Sequence, residues 1–289
     1  MYTLFTDTDT DLTPEEAKYY GYEMISMPYI VDGKEIKPYV DFEKFEYKEF
    51  YDMLRGGVLP KTCAINSEEY KKYFKPFLEK GNDILYVHFS KAMSGTFNAM
   101  NIAIEELKEE YPDRTIYTID TKGITICSYN IVREIGDLYL QGKSIEEIIK
   151  WSEVEVDKFA TYFYADTLDF FKLSGRVTNF SAIMGTLFGV HPVITMNSEG
   201  KMVSVNKCKG KIKSLNKLVD YVCELGEDVE KHRVIIGHSD SLDLAKKLGE
   251  LLEERLGKKL PIEYVVVNPT AGSHCGPDTI GVCFHAKHR

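Results

Sequence analysis

No apolar run in this 289-residue chain is long enough to cross a bilayer. The most apolar stretch, residues 180–196, is broken by Ser181, Gly185, Gly189 and His191-Pro192 and falls short of the ~20 residues a spanning helix needs, so no membrane insertion is expected. Basic clusters are also lacking. Lys and Arg number 36 against 45 Asp and Glu, a net charge of −9, and nowhere are they dense enough to track a phosphate backbone, which argues against a nucleic-acid partner. Six cysteines (Cys63, Cys127, Cys208, Cys223, Cys275 and Cys283) contain no C-x-x-C, which fits neither a disulfide scaffold nor a zinc knuckle. Reduced thiols and no metal are expected. The opening residues lack a basic n-region, an apolar h-segment and a small-residue cleavage site, so the expected location is cytoplasmic. Internal repeats and low-complexity linkers are absent. With 44% hydrophobic and 28% charged residues the composition excludes disorder, collagen and coiled coil.

What is present is a rhythm of strand-length apolar runs alternating with helix-length amphipathic runs, which predicts an α/β fold. Residues 3–6 read as a strand, and Thr13-Pro14-Glu15-Glu16 as a helix start with Thr as N-cap and Pro in the first turn. Residues 23–31 follow as an extended segment turned by Asp32-Gly33, and Asn66-x-x-Glu69 resembles a capping box opening a helix to about Glu79. Residues 84–89 form a buried strand, and Ser94 stands where the chain enters a long helix ending before Pro112. Strand 115–119, helix 125–140 and a helix capped by Ser144-x-x-Glu147 complete this half. The texture changes near residue 155. The expected organisation is therefore an N-terminal domain (1–155) with a mainly parallel, Rossmann-like sheet and a C-terminal α/β domain (156–289) with a mixed sheet. The second comprises strand 159–165, a Gly/Ser turn, a short apolar helix around 181–188, a hairpin of 191–196 with 202–205, helix 211–225, strand 234–237, helix 242–256 and strands 262–268 and 280–285. A cleft between the domains is the default ligand site.

Four constellations carry chemistry. Asp7 and Asp9 follow an apolar strand as Asp-x-Asp, the way haloacid-dehalogenase-type phosphatases present a nucleophile and its acid/base partner, and a metal-dependent phosphatase is the alternative function. In that pattern Asp11 stands where Thr or Val is usual, and His238 where a metal-binding Asp should follow Gly237. The competing reading has these carboxylates capping and tightening the βα turn. Ser94-Gly95-Thr96 offers hydroxyls and backbone N–H groups at a helix start, with Gly95 allowing close approach of a ligand; a plain N-cap serine is the simpler account. Thr62, in the loop before another helix, could add a hydroxyl. His274 lies in a Gly- and Pro-punctuated loop between two apolar strands, while His285 and His288 are read as a solvated tail. Arg176, after the turn Ser174-Gly175, can grip a carboxylate or phosphate, or sit in a surface ion pair.

Together, Thr6-Asp7-x-x-x-Asp11-Leu12, Ser94-Gly95-Thr96, Leu173-Ser-Gly-Arg176 and Ala271-Gly-x-His274-x-Gly-Pro277 resemble, in order and interval, the DegV family of fatty-acid-binding proteins, which includes the FakB binding subunits of bacterial fatty-acid kinase. The resemblance covers nearly the whole chain. It implies two α/β domains with a long-chain fatty acid such as palmitate between them, its carboxylate held by Thr62 and Ser94. The N–H groups around Gly95 and His274 are available as further donors, and no cofactor is implied. It further implies lipid transport or presentation to a fatty-acid kinase rather than catalysis, with Arg176 the candidate contact to that partner or to an acyl phosphate. The chain departs from the family where Thr62-Cys-Ala-Ile-Asn66 replaces the usual Thr-Ser-Gln-Pro-Ser. Physically the tail would supply the affinity: about 14 methylenes at roughly 0.8 kcal/mol each amount to about 11 kcal/mol before entropy losses.

Overall fold

The side-chain alternation of strand β1 (Tyr2–Asp7) explains the first half of the architecture, seen in a computed structural model that describes residues 2–179 and 189–289. Successive residues of a strand point to opposite faces. Leu4 accordingly packs with the apolar cluster of helices α1 (Pro14–Tyr20) and α5 (Ile126–Leu140), while Phe5 joins that of α3 (Ser67–Leu78) and α4 (Thr96–Glu110). Strand β6 (Asp83–His88) repeats the pattern, with Leu85 and Val87 on the first face and Ile84 and Tyr86 on the second. With β2 (Tyr22–Ile25) and β7 (Ile116–Asp120) these strands form an all-parallel sheet of order β2-β1-β6-β7, buried on both faces as parallel sheets require.

Local signals set the boundaries. The Thr13 hydroxyl accepts from the Glu16 N–H while the Glu16 carboxylate accepts from the Thr13 N–H, and Gly21 closes α1 at φ +77°. The segment predicted as one extended run over 23–31 is instead divided at Ser26-Met27-Pro28, where Pro28 has no N–H to give a ladder. Beyond it β3 (Tyr29–Val31) turns through Asp32-Gly33, at φ +50° and +79°, into β4 (Lys34–Ile36). After α2 (Tyr47–Arg55), strand β5 (Lys61–Thr62) pairs with β3 to make a separate three-stranded sheet. Asn66 caps α3 as expected, but Glu69 pairs with Lys37 instead of completing the box. Helix α6 (Ile145–Glu155) closes this half, with Ser144 and Glu147 bonded reciprocally.

A second, six-stranded sheet takes its strands from β8 (Phe159–Tyr164) onward. Helix α7 (Asp169–Ser174) replaces the predicted Gly/Ser turn, because Phe170 and Phe171 bury one side and Gly175 ends it at φ +65°. The helix expected around 181–188 lies outside the described residues. Strands β9 (Val190–Met196) and β10 (Met202–Lys209) form the predicted antiparallel hairpin, extended past a bulge between Ser204 and Asn206. Helix α8 (Lys211–Leu225), strand β11 (Val234–His238), helix α9 (Leu242–Leu256), strand β12 (Ile262–Val266), helix α10 (Pro269–Cys275) and strand β13 (Ile280–His285) complete the order β10-β9-β8-β13-β11-β12. Only β11 and β12 run parallel, so the sheet is mixed. The solvated tail expected from His285 onward needs correction. His288 is exposed, but His285 is 5% exposed at the end of a central strand, and the Arg289 side chain is tied down by the carbonyls of Thr121 and Val156.

Helix α5 sits between the two sheets. Ile126 through Val132 are all buried, since one side faces β1 and β6 and the other faces β8, β11 and β13. The contact is closest where Gly237 and Gly281 lie opposite each other on β11 and β13. Ile126 fills that notch: a Cβ at Gly237 would fall 2.5 Å from its Cγ2.

Candidate functional site

The C-terminal ends of the parallel strands and one face of the mixed sheet, through β9, β8, β13 and β11, border a cavity of about 980 Å³, a figure that includes the solvent at its open mouth. Phe89, Met93, Ile124, Phe163, Met196 and Met202 give it an apolar wall drawn from both halves of the chain.

Thr62, Ser94, Arg176 and His274, dispersed over 212 positions of sequence, all line this cavity. Thr62 is held on β5 opposite Tyr29, and its Oγ1 lies 2.9 Å from His274 Nε2. The expected loop at His274 is in fact the last turn of α10, because Pro269 sits at the first helical position and the Asn268 side chain accepts from the Ala271 N–H at 2.9 Å. Thr270 fixes that helix by donating to the Met27 carbonyl at 2.7 Å. Burial and the nearby Arg176 charge push the His274 pKa down to about 4, so the ring is neutral at pH 7. It then presents one N–H donor and one acceptor.

Ser94 lies two residues before α4 and its Oγ accepts from the Thr96 N–H at 3.2 Å, while its hydroxyl hydrogen remains available. Gly95 is exposed beside it, outside the cavity wall, and at φ −72° with open space where a Cβ would stand, nothing local demands glycine. Arg176 donates to the carbonyls of Met93 and Ser174 and has no carboxylate partner among the described residues. Thr96, expected to offer a hydroxyl with Ser94, is absent from the cavity wall; its hydroxyl donates to the Ile65 carbonyl at 3.3 Å and ties the divergent 62–66 segment to α4. Sequence reasoning missed Arg55, which reaches Asp240 at 2.6 Å and Asp278 at 2.9 Å. Pairs separated by 185 and 223 residues leave no spacing signal.

The phosphatase alternative is not supported. Asp7 is absent from the cavity wall, and its oxygens already accept from Tyr86 OH (3.0 Å), Phe89 N–H (3.2 Å) and Asp9 N–H (3.0 Å). Burial nevertheless pushes its pKa up to about 7, against the lowering by those bonds. Asp11, at φ +61°, accepts from both the backbone and side-chain N–H groups of Asn268, which joins the first βα turn to the cap of α10. These carboxylates thus shape the turn. Among the described residues no three His, Cys, Asp or Glu side chains are grouped to hold a metal, and no helix is long and apolar enough to cross a membrane.

The architecture recurs in known proteins. The profile of an uncharacterised protein family named DegV matches residues 1–287. A DegV domain-containing protein of Clostridium perfringens is 33% identical over 284 residues, covering 98% of this chain and 97% of its own. Among solved structures, a stearic acid-binding protein from Eubacterium ventriosum superposes with a TM-score of 0.87 at 24% identity, over 99% of each chain. A fatty acid binding DegV family protein from Streptococcus agalactiae gives 0.84 at 27% identity, covering 100% of this chain and 99% of that one. With the match running almost end to end in sequence and in fold, this chain belongs to the DegV family.

Proposed function

We propose that this protein binds one long-chain fatty acid in the cavity, for transport or for presentation to a fatty-acid kinase, without chemistry of its own. The observation that carries the reading is a hydroxyl–imidazole pair, Thr62 and His274 at 2.9 Å, set in a wall that is otherwise mainly apolar. Apolar contacts supply affinity for the tail, and Ser94 with the Thr62–His274 pair supplies directional bonds to the carboxylate, while the exposed Gly95 backbone takes no part. Two structural neighbours named for fatty-acid binding support the same reading.

Protein purified from a bacterial host is expected to retain monocarboxylic acids of roughly C14–C18, because a slot that removes that many methylenes from water releases them slowly. Mass spectrometry of organic extracts checks this. An empty extract, together with no palmitate binding by delipidated protein, rules the reading out.

Arg176 lines the same cavity and its charge lowers the His274 pKa, and in this reading it stands beside the carboxylate end. In the kinase branch it would favour the charge of an acyl phosphate. Arg176→Ala should therefore lower phosphorylation of bound palmitate by a fatty-acid kinase more than it lowers palmitate affinity. Equal losses in both assays would reduce Arg176 to a binding residue.

A further inference from the structure

The Thr62–His274 pair joins two pieces that the chain anchors separately. Thr62 stands on β5, at one edge of the small three-stranded sheet, and His274 lies in the last turn of α10, 212 residues away. A shift of roughly 0.7 Å between these carriers would end their hydrogen bond. What fixes them lies behind α10. Ala271, His274 and Cys275 of that helix line the cavity, while Gly272 meets α2: a Cβ there would fall 2.7 Å from the Tyr51 hydroxyl, which donates to the Val267 carbonyl at 2.9 Å. At the end of α2, Arg55 donates to Asp240 Oδ2 at 2.6 Å, to Asp278 Oδ1 at 2.9 Å, to the Asp240 carbonyl at 3.2 Å and to Asp52 of its own helix at 2.9 Å. Asp240 and Asp278 sit at φ +58° and +62°, in the left-handed region that side chains other than glycine enter at a cost. The two turns are stitched together, the Asp278 N–H donating to the Ser239 carbonyl at 2.8 Å and the Ser241 hydroxyl to Asp278 Oδ1 at 2.6 Å. Thr279, next in the chain, lines the cavity and donates to the carbonyl of Cys275, the neighbour of His274, at 3.0 Å.

We propose that Arg55 is a positioning residue for fatty-acid binding: its clamp on Asp240 and Asp278 seats the sheet that carries Thr62 against the helix that carries His274, and so holds the hydroxyl–imidazole pair at the spacing that meets the carboxylate. This rests on the fatty-acid reading above. Arg55 is itself absent from the cavity wall, so its influence reaches the ligand through that pair. A lone exposed ion pair would contribute little. Here one guanidinium, whose planar fork presents five donors, gathers carboxylates from three places in the chain, which the point charge of a lysine cannot do as well.

Dissociation constants of delipidated protein for palmitate test the assignment. Arg55→Met, which keeps the apolar stem, is expected to weaken palmitate about five- to tenfold, and Asp278→Asn about threefold. In a His274→Leu background, where the pair is already broken, either change should cost less than about twofold more, because a residue that acts through the pair has nothing left to position. Arg55→Lys, with the charge but without the fork, should fall between parent and Arg55→Met. Losses that multiply in the double variants would make Arg55 a merely structural residue and overturn the proposal, as would parent-like affinity in both Arg55→Met and Asp278→Asn. Should Arg55→Met fail to fold, Asp278→Asn carries the same comparison in both backgrounds. Failure of the parent to bind palmitate would instead overturn the fatty-acid reading and this inference with it.

Discussion

Replacing Thr62 by Val, Ser94 by Ala and His274 by Leu is expected to cost about 1–3 kcal/mol of palmitate binding each, a loss of roughly 5- to 150-fold, and more in combination. Ser94→Ala strips a hydroxyl donor from a carboxylate that has left water, and Thr62→Val or His274→Leu breaks a hydroxyl–imidazole pair that, with the ring neutral, has one donor left for the ligand. Thr62 and His274 are bonded to each other at 2.9 Å, so their losses should not add: once one is gone, the other has already lost part of its orientation. Since burial and Arg176 hold the imidazole pKa at about 4, His274 meets the ligand as a neutral donor near pH 7, and its contribution there should not follow the titration of a free histidine. Isothermal titration of delipidated single and double variants reads all of this. Parent-like palmitate affinity in every one of the three would place the carboxylate elsewhere.

The largest stability effect should come from Gly237→Val. Its Cβ would fall 2.5 Å from Ile126 Cγ2, in a strand paired on both sides and against a helix buried all round, so neither partner can step aside cheaply. A cost of about 3 kcal/mol is expected, or a fall in melting temperature of roughly 6–12 °C for a chain of this size. Ile126→Ala introduced into the same protein should recover part of the loss even though it destabilises the parent, because it vacates the space the valine needs. Thermal unfolding followed by circular dichroism gives the four-membered cycle. A parent-like melting temperature for Gly237→Val would show that the notch relaxes freely.

Much of the fold was legible because its signals are local. Thr13-Pro14-Glu15-Glu16, Asn66 and Ser144 each announced a helix through one side chain that bonds a backbone three residues on, and α8, α9 and β13 were bounded correctly by apolar periodicity alone. The failures share a different physics. Helix α7 is short and stabilised by burying Phe170 and Phe171, and α10 is a single capped stretch wedged between strands, so packing decides both more than propensity does. At the site, residue types at family-like intervals singled out Thr62, Ser94, Arg176 and His274, which the fold brings to one cavity. What could not be read was direction. Asp7 and Asp9 are two residues apart in the same motif, yet one turns into Tyr86 and the backbone while the other reaches the cavity wall, and only the turn geometry decides between them.

Helix α5 has a bearing on traffic. A hinge between the sheets is the obvious way to admit a long apolar guest, but both sheets bury the same helix, and parting them would expose Ile126, Ile131 and Val132 to water together. Uncovering three such side chains costs roughly 5–9 kcal/mol, which makes the open state rarer than one molecule in a thousand. Under the proposed fatty-acid function, exchange is expected to run lengthwise through the mouth, like a thread through a needle's eye, with local movement at the rim setting the pace while the walls stay in place.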